Sequence, residues 1–334
     1  MSGDDLLAIR DLTVLLGGRH RWLRTPVAPL RAVDGVSLGL RNGEVLGLVG
    51  ESGCGKTTLG RTLLGLQREA GGEIRLRGRR VSGLAPASAR VARREIQYVH
   101  QDAGAALDPW WSVGHTLEEA LRIQGLRSGT ERRARVRTML PAVGLDASAY
   151  ARYPHELSGG QLRRISLARI LLLEPRIVIL DEPTAGLDMS VQATVLNLLL
   201  ELRRRLGLTY LFISHDLSVV QRLCDRVAIM YAGRIIELAD ARAIFEQPRH
   251  PYTRALLAAA PRLDGIQPSV RLRGEPPRAT AGAAGCAFAP RCAHADAACR
   301  MQDQVLHAAT ADHEVACRRW QELVIPAADI SCRA

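Results

Sequence analysis

Gly50-Glu51-Ser52-Gly53-Cys54-Gly55-Lys56-Thr57-Thr58 follows the apolar run Val45-Leu46-Gly47-Leu48-Val49 and leads into the helical stretch 59–66. A buried strand, a glycine-rich turn and a helix N-terminus in that order make a phosphate cradle. Glycines let backbone N–H groups converge on an anion where side chains would block the approach. Lys56 is placed to reach the β- and γ-phosphates, and the Thr57 hydroxyl to hold Mg²⁺. The chain has 45 Lys and Arg, and Lys56 is its single lysine. A compact ammonium fits inside such a loop, whereas a planar guanidinium does not. The stretch is a nucleotide-binding loop.

Composition sets the bounds around it. At 334 residues, one large domain, alone or with a small one, is expected. Hydrophobic residues make up 47% and aromatics only 4%, so the core must be built of Leu, Val, Ile and Ala. The start, Met1-Ser2-Gly3-Asp4-Asp5, is acidic and precedes no long apolar run, which predicts no secretory signal. No apolar stretch approaches membrane-spanning length. A net charge of +11 suits nucleic acid, anionic headgroups or an arginine-biased genome. The arginines cluster only briefly, at 132–137, 203–205 and 318–319, with no aromatic platform for bases between them. Direct nucleic-acid binding is therefore not expected.

The chain in order predicts short antiparallel strands over 6–49, with Leu7–Val14 and Ala32–Leu40 flanking a basic loop at 17–29. A hairpin is expected at 71–81 and a buried strand at Ile96–Val99, running into His100-Gln101-Asp102. Residues 115–150 are Arg- and Glu-rich and helical, an inserted subdomain. Leu157-Ser158-Gly159-Gly160-Gln161 opens a helix to Leu173, with Ser158 as its N-cap. Strands at Ile177–Leu180, Thr209–Ser214, Val227–Met230 and Arg234–Leu238 alternate with helices 190–206 and 217–224. That alternation implies an α/β fold with a parallel, covered sheet. After Asp240, a short helix at 252–260 and Pro-, Gly- and Cys-bearing sequence mark an accessory domain.

Asp181 ends an apolar strand, so its carboxylate would emerge at the carboxyl end of the sheet and bind Mg²⁺ through water. Glu182, one residue on, is placed to polarise an attacking water as general base.

Gly50–Thr57, Gln101, Leu157-Ser158-Gly159-Gly160-Gln161, Asp181-Glu182, Ala185-Gly186-Leu187-Asp188 and His215 occur in the order and spacing of an ABC transporter ATPase subunit, which residues 6–240 resemble. The resemblance implies a P-loop NTPase core with an antiparallel β subdomain and a helical signature subdomain. It implies head-to-tail pairs in which each ATP lies between one chain's phosphate loop and the other's signature. Residues 158–160 at a helix N-terminus suit that task, since free N–H groups and the dipole favour a γ-phosphate. By the same resemblance, Gln101 touches Mg²⁺ and the attacking water, His215 contacts the γ-phosphate and holds Glu182, and Asp188 communicates across the dimer. One departure concerns adenine. The family usually stacks it on an aromatic before the phosphate loop, and here that segment is Val14-Leu15-Leu16-Gly17, with Trp22 displaced.

Arg152-Tyr153-Pro154-His155-Glu156, Tyr231-Ala232-Gly233-Arg234 and Pro248-Arg249-His250-Pro251-Tyr252-Thr253-Arg254-Ala255-Leu256-Leu257 extend the resemblance to oligopeptide/dipeptide importers, and the long loop between Leu16 and Leu30 to their F-type subunit. The domains expected are an ABC ATPase over 1–240, with its helical subdomain about 102–175, and an importer-type accessory domain over 241–334. The resemblance implies ATP and Mg²⁺ as ligands and three kinds of partner: a second, D-type ATPase subunit, two membrane-spanning permease subunits and an extracytoplasmic peptide-binding protein. It places the chain peripherally on the cytoplasmic face of the membrane. Nickel or glutathione are alternative cargoes. A soluble ABC-type ATPase acting on nucleic acid or ribosomes is the rival from another class. It is disfavoured by the single phosphate loop, the single signature and the absence of an internal repeat.

Cys286, Cys292, Cys299 and Cys317 stand at spacings of five, six and seventeen residues. In a reducing compartment, four clustered cysteines are metal ligands more often than disulfides. Zinc favours close Cys pairs, absent here, and a cluster suits wider spacing. The pattern resembles that of peptide-importer subunits with a [4Fe–4S] cluster; zinc and unligated thiols stay open as alternatives. His294 and His313 are spare candidate ligands, and Cys54, Cys224 and Cys332 fall outside the pattern. Trp110-Trp111 is unusual in so aromatic-poor a chain. In the resembled family this segment faces the membrane subunit, and ordinary burial is the simpler expectation for the pair.

Overall fold

In a computed structural model, residues 5–17, 29–99, 107–259 and 285–323 are described. Gln101, Trp22 and Cys332 lie outside the described residues. The chain divides into two compact units, one of residues 1–89 with 212–334 and the other of 90–211.

The first unit contains two groups of strands. Asp5–Leu16 and Leu30–Arg41 are each twelve residues long and pair antiparallel, so the short strands expected here are long ones. Register shifts after Asp5, Ile9, Leu12 and Val14 interrupt their pairing. Gly71–Leu76 joins the other side of Asp5–Leu16, and Arg79–Arg80 completes the expected hairpin.

The second group is built on Val45–Val49, every residue of which is buried. It runs parallel to Arg226–Tyr231, with Leu46 opposite Arg226 and Val49 opposite Ile229. A strand buried on both faces must be apolar throughout, as this one is. Arg226–Tyr231 then pairs antiparallel with Arg234–Asp240, and that strand with His313–Val315 from the tail. Thus the tail strand extends the nucleotide-binding unit's own sheet.

Glu237, wholly buried on Arg234–Asp240, organises this junction. Its carboxylate accepts hydrogen bonds from the Arg249 and His250 backbone N–H groups at 2.6 and 3.0 Å, and lies 2.7 Å from His313 Nε2. A buried carboxylate is tolerable only when so satisfied. Burial pushes the His250 imidazole down to about 4, against the opposing pull of Glu237, so it is neutral near pH 7, and its Nδ1 accepts from the Tyr252 N–H at 3.0 Å.

The second unit pairs Ile96–Val99 in parallel with Ile177–Asp181, Tyr98 opposite Ile179. Around these stand helices Val113–Gln124, Gly129–Ala142, Gly159–Leu171 and Met189–Leu206. Ser112, Ser128 and Ser158 cap the first three and Asp188 the last. Each cap supplies an oxygen to N–H groups that a helix start leaves unpaired. Tyr210, fully buried, donates its hydroxyl to the Leu199 carbonyl at 3.0 Å.

Candidate active site

In the first unit, the phosphate loop leaves the strand Val45–Val49 and closes on Lys56 at the start of helix Lys56–Leu63. Lys56 Nζ donates to the carbonyls of Gly50 at 2.6 Å and Glu51 at 3.0 Å. The ammonium thus ties the loop into a ring around itself, a task for a point donor rather than a fork. Gly50 and Gly55 are glycines for lack of room. A Cβ on Gly50 would stand 2.1 Å from the Met230 carbonyl oxygen, and one on Gly55 2.1 Å from that of Ala32. Ser52 and Gly53 are exposed at the loop's tip. Cys54 is buried beneath it, its thiol pushed up by burial, and its carbonyl accepts from the Gly233 N–H at 2.9 Å. Thr57 and Thr58, half-buried, begin the helix. Nothing in the sequence announced two further loop contacts. The Glu51 N–H donates to the Tyr252 hydroxyl at 3.0 Å, and the Glu51 carboxylate pairs with Arg291 at 3.0 Å. His215, exposed, follows the strand end in the same unit and precedes helix Leu217–Leu223, which Asp216 caps.

In the second unit, Asp181 closes its strand with its side chain buried, and the Tyr98 hydroxyl donates to it. Tyr98 is therefore a member of the carboxylate site that pattern reading missed; its place on the strand one pairing over from Asp181 was the available signal. A carboxylate is a hard oxygen donor of the kind Mg²⁺ prefers. Glu182, half-buried, has φ +51°, a left-handed conformation rarely adopted by a residue with a side chain, and it precedes Pro183. Such an outlier at the carboxylate proposed as base is what an over-determined site shows.

The signature opens helix Gly159–Leu171 through a capping box. Ser158 Oγ accepts from the Gln161 N–H at 3.3 Å, and Gln161 Oε1 accepts from the Ser158 N–H at 3.0 Å. The expected cap is present; Ser158 and Gly159 are exposed, while Leu157, Gly160 and Gln161 are half-buried. Ser158 Oγ and Gln161 Oε1 both accept in the cap, which leaves the Ser158 O–H and the N–H groups of the helix start as the donors the motif offers an anion. On the same helix, buried Arg163 donates to the carbonyls of Pro183 and Ala185, tying the signature helix to the segment after Glu182. Asp188, expected to signal between subunits, caps helix Met189–Leu206 by accepting from the Ser190 and Val191 N–H groups. The bond from the Ser190 hydroxyl first, and then those from the backbone N–H groups, hold its carboxyl below the usual range.

In the tail, Cys286, Cys292, Cys299 and Cys317 all line one cavity, with His250, His294 and Phe288. Among the described residues no three His, Cys, Asp or Glu side chains are arranged to share a metal ion. Burial pushes the Cys317 thiol up to about 11, with the other three cysteines adding to the effect. Cys286 and Cys292 are raised for the same first reason.

Comparison with known proteins agrees with this arrangement. The ABC transporter family profile matches residues 33–185, and that of the oligopeptide/dipeptide transporter C-terminal region matches 236–299. A putative peptide import ATP-binding protein of Brucella ovis is 44% identical over 321 residues, which span 96% of this chain and 99% of that protein. The glutathione import ATP-binding protein GsiA of Escherichia coli K12 is 47% identical over 261 residues, 78% of this chain and 42% of GsiA. Among solved structures, a dimeric post-hydrolysis state of the ATP-binding cassette MJ0796 bound to ADP and Pi superposes with a TM-score of 0.62. It is 26% identical and covers 71% of this chain and 99% of that one. CbiO1 of Clostridium perfringens, part of the transporter complex cbiONQ, gives the same TM-score at 27% identity, covering 73% of this chain and 92% of its own. With a phosphate loop closed by its one lysine, a capped signature helix and an end-to-end relative, the chain belongs to the ATP-binding subunits of ABC transporters, in the oligopeptide/dipeptide branch.

Proposed function

We propose that this chain hydrolyses ATP to power import of di- and oligopeptides across the cytoplasmic membrane. The observation that carries the reading is the 44% identity that runs through both the ATPase region and the tail to a protein named for peptide import. Thr57, Gln101 and Asp181 are the magnesium ligands, Lys56 and the loop N–H groups hold the phosphates, and Glu182 is the base. His215 positions Glu182 and the γ-phosphate. Ser158, Gly159 and Gly160 receive the ATP of a second ATPase subunit, and Asp188 links the two. No described helix is long and apolar enough to cross a membrane. Two permease subunits therefore carry the passage, with an extracytoplasmic binding protein choosing the cargo, and this chain lies against their cytoplasmic face. Trp110 supports that placement, since it is 86% exposed while Trp111 packs edge-on against His115. An exposed indole is a strong anchor for a partner helix.

Uptake of labelled peptides in cells lacking the chain tests this. Wild type is expected to restore uptake and Lys56→Ala to leave it below a tenth; Trp110→Ala should lower uptake severalfold with ATP affinity unchanged. Restoration of glutathione uptake alone would move the cargo toward that of GsiA. Nickel alone would do the same for a metal, and no uptake defect would overturn the transport reading.

The cysteine cavity is proposed to hold a [4Fe–4S] cluster on Cys286, Cys292, Cys299 and Cys317. Its support is that all four cysteines line one cavity, together with their wide spacing in sequence; since among the described residues no three are arranged to share an ion, loading must draw the side chains together. When bound, such a cluster supplies redox or structural chemistry. Burial pushes the Cys286, Cys292 and Cys317 thiols up, so a ligand must displace their protons. Protein purified without oxygen is expected to carry about four iron and four labile sulfide per chain. Stoichiometric zinc, or neither metal, would overturn the assignment.

A further inference from the structure

Glu51 poses an electrostatic problem. It places a carboxylate inside a loop whose task is to hold a triphosphate, and like charges at close range oppose binding. The tail resolves it. Arg291 Nη1 lies 3.0 and 3.2 Å from the two Glu51 oxygens and also donates to the Tyr231 hydroxyl at 3.2 Å. The Arg291 side chain is 7% exposed and that of Glu51 20%, so water screens the pair little. Arg291 itself is fixed by the turn Ala289–Arg291, which sits between two of the cysteines. The Ala289 N–H donates to the Cys286 carbonyl at 2.9 Å, and the Arg291 N–H to that of Phe288 at 2.9 Å. Phe288 packs at 5.4 Å against both Tyr231 and Tyr252. Tyr252 in turn accepts the Glu51 N–H, so both ends of Glu51 are held from sequence beyond the core ATPase motifs.

We propose that Arg291, carried by the cysteine-bearing segment, is a positioning residue for the phosphate loop: it neutralises Glu51 and turns it away from the anion, so that nucleotide affinity at Gly50–Thr58 depends on the tail. This rests on ATP binding at that loop. The charge argument has a sign that a merely structural role lacks. Removing Arg291 alone leaves an uncompensated carboxylate beside the phosphates, whereas removing both charges restores a neutral site.

The test is calorimetric titration of the full-length chain with Mg·ATP, with melting midpoints taken in parallel. Arg291→Met is expected to weaken ATP about tenfold, and the same substitution made on a Glu51→Gln background to change affinity by less than about threefold. Arg291→Lys, which keeps the charge but not the fork, should be intermediate. Arg291→Gln is measured beside Arg291→Met, so that a folding failure of one leaves the other to decide. Unchanged affinity in the Arg291 variants, or the same tenfold loss from Arg291→Met on the Glu51→Gln background, would overturn the proposal. A wild type that fails to bind ATP would overturn the reading of the loop along with it.

Discussion

Glu182→Gln is expected to bind ATP as wild type does and to hydrolyse it at least about a hundredfold more slowly, within the range a positioned general base contributes. The substitution keeps the side chain's shape and its demand on the backbone. Glu182 sits at φ +51° immediately before Pro183, and Gln bears the same cost there as Glu. What the amide loses is the capacity to take a proton from water. A hundredfold loss corresponds to about 2.7 kcal/mol of barrier, all of it in the chemical step. In the proposed pairing with a second ATPase subunit, closure on ATP precedes that step, and the variant should then accumulate as an ATP-bound pair. Phosphate release measured beside nucleotide affinity checks this. Hydrolysis within threefold of wild type would remove Glu182 from the role of base.

Much of this arrangement could be read before any coordinates. The phosphate loop was legible because glycine, lysine and threonine at that spacing have few other uses, and because Lys56 is the chain's one lysine. Buried strands such as Val45–Val49 and Ile177–Asp181 were legible as unbroken apolar runs before a turn. The N-cap at Ser158 could be read because caps are local chemistry; the return bond to Gln161 that completes the capping box lay outside that expectation. Non-local contacts were not legible. Glu51 and Arg291 are 240 residues apart, and neither residue type nor periodicity pairs them. Tyr98 and Asp181 meet only because two parallel strands are in register. The two strands at the start read as Leu7–Val14 and Ala32–Leu40, inside their full extents Asp5–Leu16 and Leu30–Arg41, since the register shifts after Asp5 and Val14 fall at those ends. The pairing of His313–Val315 with Arg234–Asp240 had no local signal, because three residues are too few for a period. Of the pair Trp110-Trp111, ordinary burial suits only Trp111, which packs on His115, while Trp110 stands exposed.

The second large effect belongs to Gly55. Gly55→Ala is expected to lower ATP affinity by at least about a hundredfold, close to 2.7 kcal/mol, although it adds only one methyl group. Two costs coincide at this position. Its φ of +112° is one that side-chain-bearing residues rarely adopt, at about 1–3 kcal/mol. The added Cβ would also lie 2.1 Å from the Ala32 carbonyl oxygen and 2.8 Å from Met230 Cε. Met230 can yield, being the end of a flexible chain. Ala32 cannot yield cheaply, since its neighbours Arg31 and Val33 are paired with Leu15 and Val14 across the antiparallel sheet. The phosphate loop must therefore move, and Lys56, the next residue, moves with it and loses its bonds to Gly50 and Glu51. Gly53→Ala is the control. It has φ +80° but nothing within 4 Å of its Cβ, so it carries the backbone cost without the overlap and should retain affinity to within about tenfold. Equal affinities for the two variants would mean that the steric floor beneath Gly55 does not hold the loop, and that the closure seen around Lys56 is set by the lysine alone.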